Sequence, residues 1–296
     1  ILAQVGCVPL HHRASAGPPC CGWGTMGGEI EALVAKLQGA SPAERFEGAQ
    51  ELGRWAAGNQ ERQTAVAAAG AVPPLVELLR TSDSELQRAA ARTLGIVSLG
   101  HFDNQNLVMQ ANGIPLLLEL AVGGDAEQAG GERRQAAVRA LFNVMLGNSV
   151  IQDEVAVSGG VGALVVLVGS GPLEQRQMAA RALVALMAGN PENGCRVAEA
   201  GGVGPLIDLA NTGNEEQRLD AIRALGGVAE DNEENQRLIV AEGGVSPVVS
   251  MAIAGTDEQK KHATRVLLQL KKVLTAEQLK DAMQAVVGQT TALGKV

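Results

Sequence analysis

Leu52, Leu94, Leu141, Leu183, Leu225 and Leu267 recur at intervals of 42, 47, 42, 42 and 42 residues, each inside a similar long helical run. The clearest unit is 203–244, VGPLIDLANTGNEEQRLDAIRALGGVAEDNEENQRLIVAEGG. The unit before it, 161–202, begins VGALVVLVGSG and ends NPENGCRVAEAGG. A fixed period of this size is the mark of stacked helical repeats. Such an array grows in one dimension without a single closed core. The predicted fold class is therefore all-α, a solenoid of about six units.

Each unit reads as a short, a medium and a long helix. Four residues before each anchor Leu stand Gly48, Ala90, Ala137, Ala179, Ala221 and Ala263; three after it stand Trp55, Val97, Val144, Leu186, Val228 and Leu270. Small at i−4, Leu at i and large at i+3 share one helical face. The small column lets neighbouring helices approach closely, and the larger two fill the space between units.

The helix ends carry their own columns. Ser41-Pro42-Ala43-Glu44 is a capping box, and Asn214 to Gln217 and Thr256 to Gln259 have the same spacing. Seven residues after the anchors stand Asn59, His101, Asn148, Asn190 and Asn232, with Gly before four of them, as residues that tolerate a left-handed helix end. Asn190 is also expected to cap the short helix that Pro191 opens. Gly70, Gly113, Gly160, Gly202 and Gly244 mark the corner between short and medium helices, where a positive φ would exclude β-branched residues.

Residues 1–25, rich in Gly and Pro and without helical period, are expected to be a disordered tail, with the solenoid over 26–296. The five extra residues of the 47-residue interval fall in 122–135, VGGDAEQAGGERRQ, expected to be a flexible loop of tolerated surface length, the alternative being a loop that contacts a partner. Thr275 to Gln278 is another capping box, opening a helix over 275–288 that is expected to cap the last unit.

Net charge −8 argues against a nucleic-acid partner, which needs a basic footprint, and 2% aromatics removes the stacking platforms of single-strand binders. Apolar runs never reach 18 residues, so no transmembrane helix is expected. Of Cys7, Cys20, Cys21 and Cys195 only the last lies in the array, which fits a reducing, cytoplasmic setting. His11 and His12 beside the tail cysteines do not make zinc spacing. No catalytic motif occurs, and the acidic run Glu230-Asp231-Asn232-Glu233-Glu234 lacks calcium-loop spacing. Neither metal, cofactor nor enzymatic activity is expected.

The period, the Gly corner, the P-L-[VI]-x-L opening of the medium helix and the N-x-E-N short helix together resemble the armadillo repeat over roughly residues 27–288. That resemblance implies a right-handed superhelix of helical triplets whose long third helices line a concave groove for extended peptides or partner proteins. It does not extend to the importin-α type, which carries Trp two residues before the anchor and Asn two after. Here only Asn143 matches. The Ala- and Gly-rich texture is closer to armadillo adaptors and to the armadillo portions of plant U-box ubiquitin ligases. The function expected is a non-catalytic scaffold with a protein or peptide partner. The alternative is the substrate-recognition part of a ubiquitin-ligase assembly catalysed by another chain or segment.

Two residues before the anchors stand Arg92, Arg139, Arg181, Arg223 and Arg265, a position that the resemblance places in the groove. Only Arg223 has an acid at helical spacing, Asp220, so neutralisation would have to come from neighbouring helices. Guanidinium groups one repeat apart suit carboxylate or phosphate groups about every third residue of an extended ligand. The expected site is this column with Asn143 holding the ligand backbone; the competing reading is that each Arg pairs with a nearby acid.

Overall fold

A computed structural model describes residues 23–123, 128–281, 283 and 284. The helices are α1 (Trp23–Leu37), α2 (Pro42–Ala56), α3 (Gln60–Ala68), α4 (Val72–Leu79), α5 (Ser84–Ser98), α6 (Phe102–Gln110), α7 (Gly113–Val122), α8 (Gln128–Met145) and α9 (Ser149–Val157). They continue as α10 (Gly160–Ser170), α11 (Leu173–Met187), α12 (Pro191–Glu199), α13 (Val203–Thr212), α14 (Glu215–Ala229), α15 (Glu233–Ala241), α16 (Val245–Ala254) and α17 (Asp257–Leu270). No strand occurs among the described residues.

The long helices α2, α5, α8, α11, α14 and α17 pack each on the next, forming the spine of one continuous core. The anchors Leu52, Leu94, Leu141, Leu183 and Leu225 are wholly buried, as are Ala90, Ala137, Ala179, Ala221 and Ala263 beside them. Leu267 is only half-buried, because no further long helix packs on α17 among the described residues. Capping boxes open α2, α14 and α17 as their sequences require.

Two columns work differently from their sequence reading. The left-handed residue at the end of the long helix is the one before the Asn: Gly58, Gly100, Gly147 and Gly189, and in the fifth repeat Asp231 with φ 51°. Asn59, Asn148 and Asn232 sit in extended backbone and accept from the N3 amides of α3, α9 and α15. Asn190 makes no such cap; its Nδ2 donates to Asp153 Oδ1 at 2.8 Å. At the next corner the positive φ belongs to Gly70, Asn112, Gly159, Gly201 and Gly243. Gly202 has φ −73° and is held to glycine by space: a Cβ there would meet Val197 Cγ1 at 2.7 Å and the Val197 carbonyl oxygen at 2.9 Å.

Short-helix amides lock the repeats to one another. Gln105 Nε2 donates to the Asn143 and Leu146 carbonyls, and Gln152 Nε2 to those of Met145 and Ala185. Asn104, Asn193 and Asn235 donate to the Val97, Leu186 and Val228 carbonyls of the preceding long helices. The acceptors are carbonyls near the ends of the long helices, two of which, Met145 and Ala185, also accept a backbone amide.

Of the expected loop over 122–135, residues 122 and 128–135 are helical, and 124–127 lie outside the described residues. α8 begins at Gln128 and is 18 residues long, against 15 for α5, α11 and α14, so part of the added length extends the helix. The added residues are 128–130; just after them, the Gly131 carbonyl accepts from Gln175 and Arg133 donates to Ser84 and Gln87. At the N-terminal end, α1 starts at Trp23, inside the stretch expected to be a tail; residues 1–22, with Cys7, Cys20, Cys21, His11 and His12, lie outside the described residues. At the C-terminal end the Thr275–Gln278 box forms, but every described residue of 275–284 is exposed, Leu279 at 37% and Met283 at 48%. The last repeat is covered instead by Val273 and Leu274, so the described part of this helix is not the cap expected of it.

Candidate groove along the long helices

A cavity of about 1180 Å³ runs along α8, α11, α14 and α17. Arg139, Asn143, Arg181, Arg223 and Arg265 all line it, so five of the six expected site residues are brought together. Arg92 is exposed one repeat earlier and does not line it.

The arginines divide into two groups. Arg181 Nε meets Asp220 Oδ2 at 2.6 Å, with Glu216 at 3.5 Å. Arg223 pairs with Glu258 at 3.0 Å and lies 3.8 Å from Asp220. Arg265 pairs with Glu230 at 2.7 Å. The uniform ladder of available guanidinium groups is therefore not what forms. Three of the five find acids, chiefly on the neighbouring long helix, which one-helix spacing cannot reveal. Arg92 and Arg139 are exposed and have no ion pair or side-chain hydrogen bond among the described residues.

Asn143 is 9% exposed, and its Nδ2 donates to the Gly95 carbonyl on α5 at 2.8 Å. Its donor serves the repeat interface, as Thr93 Oγ1 serves the Ala49 carbonyl one repeat earlier. One of its two Nδ2 hydrogens is thus taken by the repeat interface.

Several lining residues carried no signal in the arginine column. Asp220 is 2% exposed and collects Arg181, Arg223 and Gln177. Arg223 Nε donates to His262 Nε2 at 3.2 Å, and Glu258 Oε1 lies 3.4 Å from the same nitrogen. Burial, then the Arg223 charge, push the His262 pKa below its usual 6.5. The Arg223 hydrogen bond likewise holds Glu258 below the usual carboxylate value. One residue past the anchors stand Phe142, Val184 and Gly226, and five past stand Leu99 and Leu146, all on the cavity wall. That second apolar stripe was present in the repeat alignment, one helical face away from the core columns.

Among the described residues no cluster of His, Cys, Asp and Glu is arranged to hold a metal ion. No single described helix is long and apolar enough to cross a membrane; two consecutive pairs qualify in sum but bend by 78° and 87° at the Gly corner.

Residues 59–98 match the family model described as the armadillo/beta-catenin-like repeat. An engineered protein from the Northeast Structural Genomics Consortium is similar in structure, with TM-score 0.77 and 31% identity over 82% of this chain and 97% of that one. A designed armadillo repeat protein matches with TM-score 0.76 and 25% identity over 81% and 99%. A second design, in complex with the peptide (KR)4, matches with TM-score 0.74 and 24% identity over 82% and 99%. No curated protein matches the chain by sequence.

Proposed function

The chain belongs to the armadillo-repeat family, a right-handed α-solenoid, and from that premise we propose that it is a non-catalytic scaffold whose groove binds an extended partner segment bearing an acidic or phosphorylated residue. The designed relative that holds (KR)4 is a protein–peptide complex, which supports a peptide as the class of ligand. The charge of the ligand is argued from this chain's own residues. Arg139 is the observation that carries it: an exposed guanidinium on the cavity wall with no partner among the described residues. Arg92, equally free, stands one repeat away on the same helical position. A guanidinium fork in this setting suits a carboxylate or a phosphate, and it pays no penalty for breaking an existing pair.

The Arg181, Arg223 and Arg265 side chains contribute less than the sequence suggested, since a ligand anion would have to displace Asp220, Glu258 or Glu230. Leu99, Phe142 and Leu146 add an apolar wall beside Arg139, suited to a bulky apolar side chain of the ligand. The test is fluorescence anisotropy with labelled peptides of about ten residues, a length that spans about three repeats. Acidic, phosphoserine-containing and basic sets are compared, with the Arg92→Ala/Arg139→Ala double variant. Binding of the anionic sets that weakens with salt and with the double variant supports the reading. Equal binding by the basic set, or no effect of the double variant, overturns it.

A further inference from the structure

The charges lining the cavity cancel pair by pair except at two places. Arg181 is matched by Asp220, Arg265 by Glu230 and Arg223 by Glu258 just outside the lining. Two lining charges are left, Arg139 and Asp231. Both are exposed, and neither has an ion pair or a side-chain hydrogen bond among the described residues.

Asp231 is unusual for a second reason. The equivalent left-handed position is Gly58, Gly100, Gly147 and Gly189 in the other repeats. Only this repeat places a side chain there, at φ 51°, a conformation that glycine adopts freely and aspartate adopts at a cost of about 1 kcal/mol or more. The acid is thus held at the groove where four other repeats present none. The same wall carries Val184 and Pro191, the bare backbone of Gly226 and Gly227, and the already paired Arg181 and Glu230.

Arg139 and Asp231 are diagonal across the groove. Two repeat steps separate α8 from α14, roughly 16–20 Å at ordinary helix spacing. Arg139 lies two residues before its anchor and Asp231 six after its own, about 12 Å further across at helical rise. The separation is about 20–23 Å, which an extended chain covers in about six or seven residues.

We propose that the groove selects a charge-segregated segment, with an acidic or phosphorylated residue at Arg139 and a Lys or Arg about six residues away at Asp231. This rests on the groove reading above and sharpens it. A uniformly acidic ligand would meet Asp231 unfavourably, on a chain of net charge −8. A uniformly basic one would meet Arg139. A segment carrying one of each satisfies both and fixes its own register.

The probes are labelled synthetic peptides of one length: Glu and Lys separated by about six residues, all-Glu, all-Lys, and the first with phosphoserine for Glu. The segregated peptides are expected to bind about threefold to fivefold more tightly than either uniform one, the range of an exposed ion pair. Asp231→Asn, which tolerates the left-handed backbone, is expected to abolish the advantage conferred by Lys. Arg139→Gln is expected to abolish that of Glu or phosphoserine. Either anion supports the proposal while Asp231→Asn removes the Lys preference, and the stronger of the two identifies the source. Equal binding of the segregated and all-Glu peptides, both weakened by Arg139→Gln, overturns segregation and leaves the groove reading intact. Peptide binding indifferent to Arg139→Gln overturns both.

Discussion

Asp220 on α14 and Arg181 on α11 meet at 2.6 Å across the boundary between two repeats, and the carboxylate is almost fully buried while the guanidinium reaches solvent. The pair is therefore asymmetric. Arg181→Ala leaves a buried charge with only Gln177 at 3.0 Å and Arg223 at 3.8 Å, and is expected to cost about 2–3 kcal/mol. Asp220→Asn leaves Arg181 with Glu216 at 3.5 Å and solvent, and is expected to cost only about 1 kcal/mol. It also releases Arg181 toward the cavity, so affinity for an anionic peptide should rise. Urea unfolding of both variants checks the order; a costlier Asp220→Asn, or no gain in anionic affinity, would contradict this geometry.

The Arg223–His262 contact gives a pH dependence with a defined sign. Neutral His262 Nε2 accepts from Arg223, and burial and the guanidinium charge lower its pKa in the folded state. The folded chain then binds fewer protons at this site than the unfolded chain. The resulting stability is complete above the unfolded value of about 6.5 and is lost as pH falls through the lower folded value. The charged groups that act on the ring are Arg223 from α14 and Glu258 and Lys261 on its own helix. Glu258, also lowered, contributes in the same direction but in the more acidic carboxylate range. His262→Gln should flatten the fall in melting temperature between about pH 7 and pH 5. A wild-type curve already flat across that window would refute it.

The core was legible because each of its columns is local: Ala, Leu and large apolar residues at fixed helical offsets need nothing beyond one repeat to be recognised. The groove was legible only as a position. Which arginines are occupied depends on acids about forty residues away, such as Asp220 for Arg181 and Glu258 for Arg223. Those offsets are set by how one repeat stacks on the next. The added length before α8 misled for a similar reason. Gly123, Gly124, Gly130 and Gly131 read as a loop, yet α8 begins at Gln128, and the turn that follows is held by Arg133 and Gly131 to partners on α5 and α11.

Adjacent glycines at the corner before α13 should fail for different reasons. Gly201 has φ +75° with open space around its missing side chain, so Gly201→Ala is expected to cost about 1 kcal/mol of backbone strain. Asn at the same position should recover part of that, as Asn112 does naturally two repeats earlier. Gly202 has ordinary φ, but its Cβ would press on Val197 and Val165, so Gly202→Ala is expected to cost about 1–3 kcal/mol through overpacking. Asn should not rescue it. Denaturant midpoints of the four variants separate the two mechanisms; rescue by Asn at 202 would show that backbone conformation, not space, governs both sites.

Leu183 and Leu267 occupy the same column and should respond differently to the same change. Leu183 is wholly buried between α8 and α14, so its truncation leaves a cavity bounded by rigid helices on both sides. Leu183→Ala is expected to cost about 2–5 kcal/mol. Leu267 is half-buried on α17, with solvent where the next repeat would stand, so Leu267→Ala should cost no more than about 1–2 kcal/mol. The two also act on different parts of the array. In a linear array each repeat leans on its neighbours, so damage at Leu183 uncouples the two halves, whereas damage at Leu267 frays one end. Hydrogen exchange reports this directly. Leu183→Ala should raise exchange in α8, α11 and α14 together, and Leu267→Ala only in α16 and α17. Equal losses of stability, or loss of protection through α11 after Leu267→Ala, would mean that the array unfolds as a single unit and not repeat by repeat.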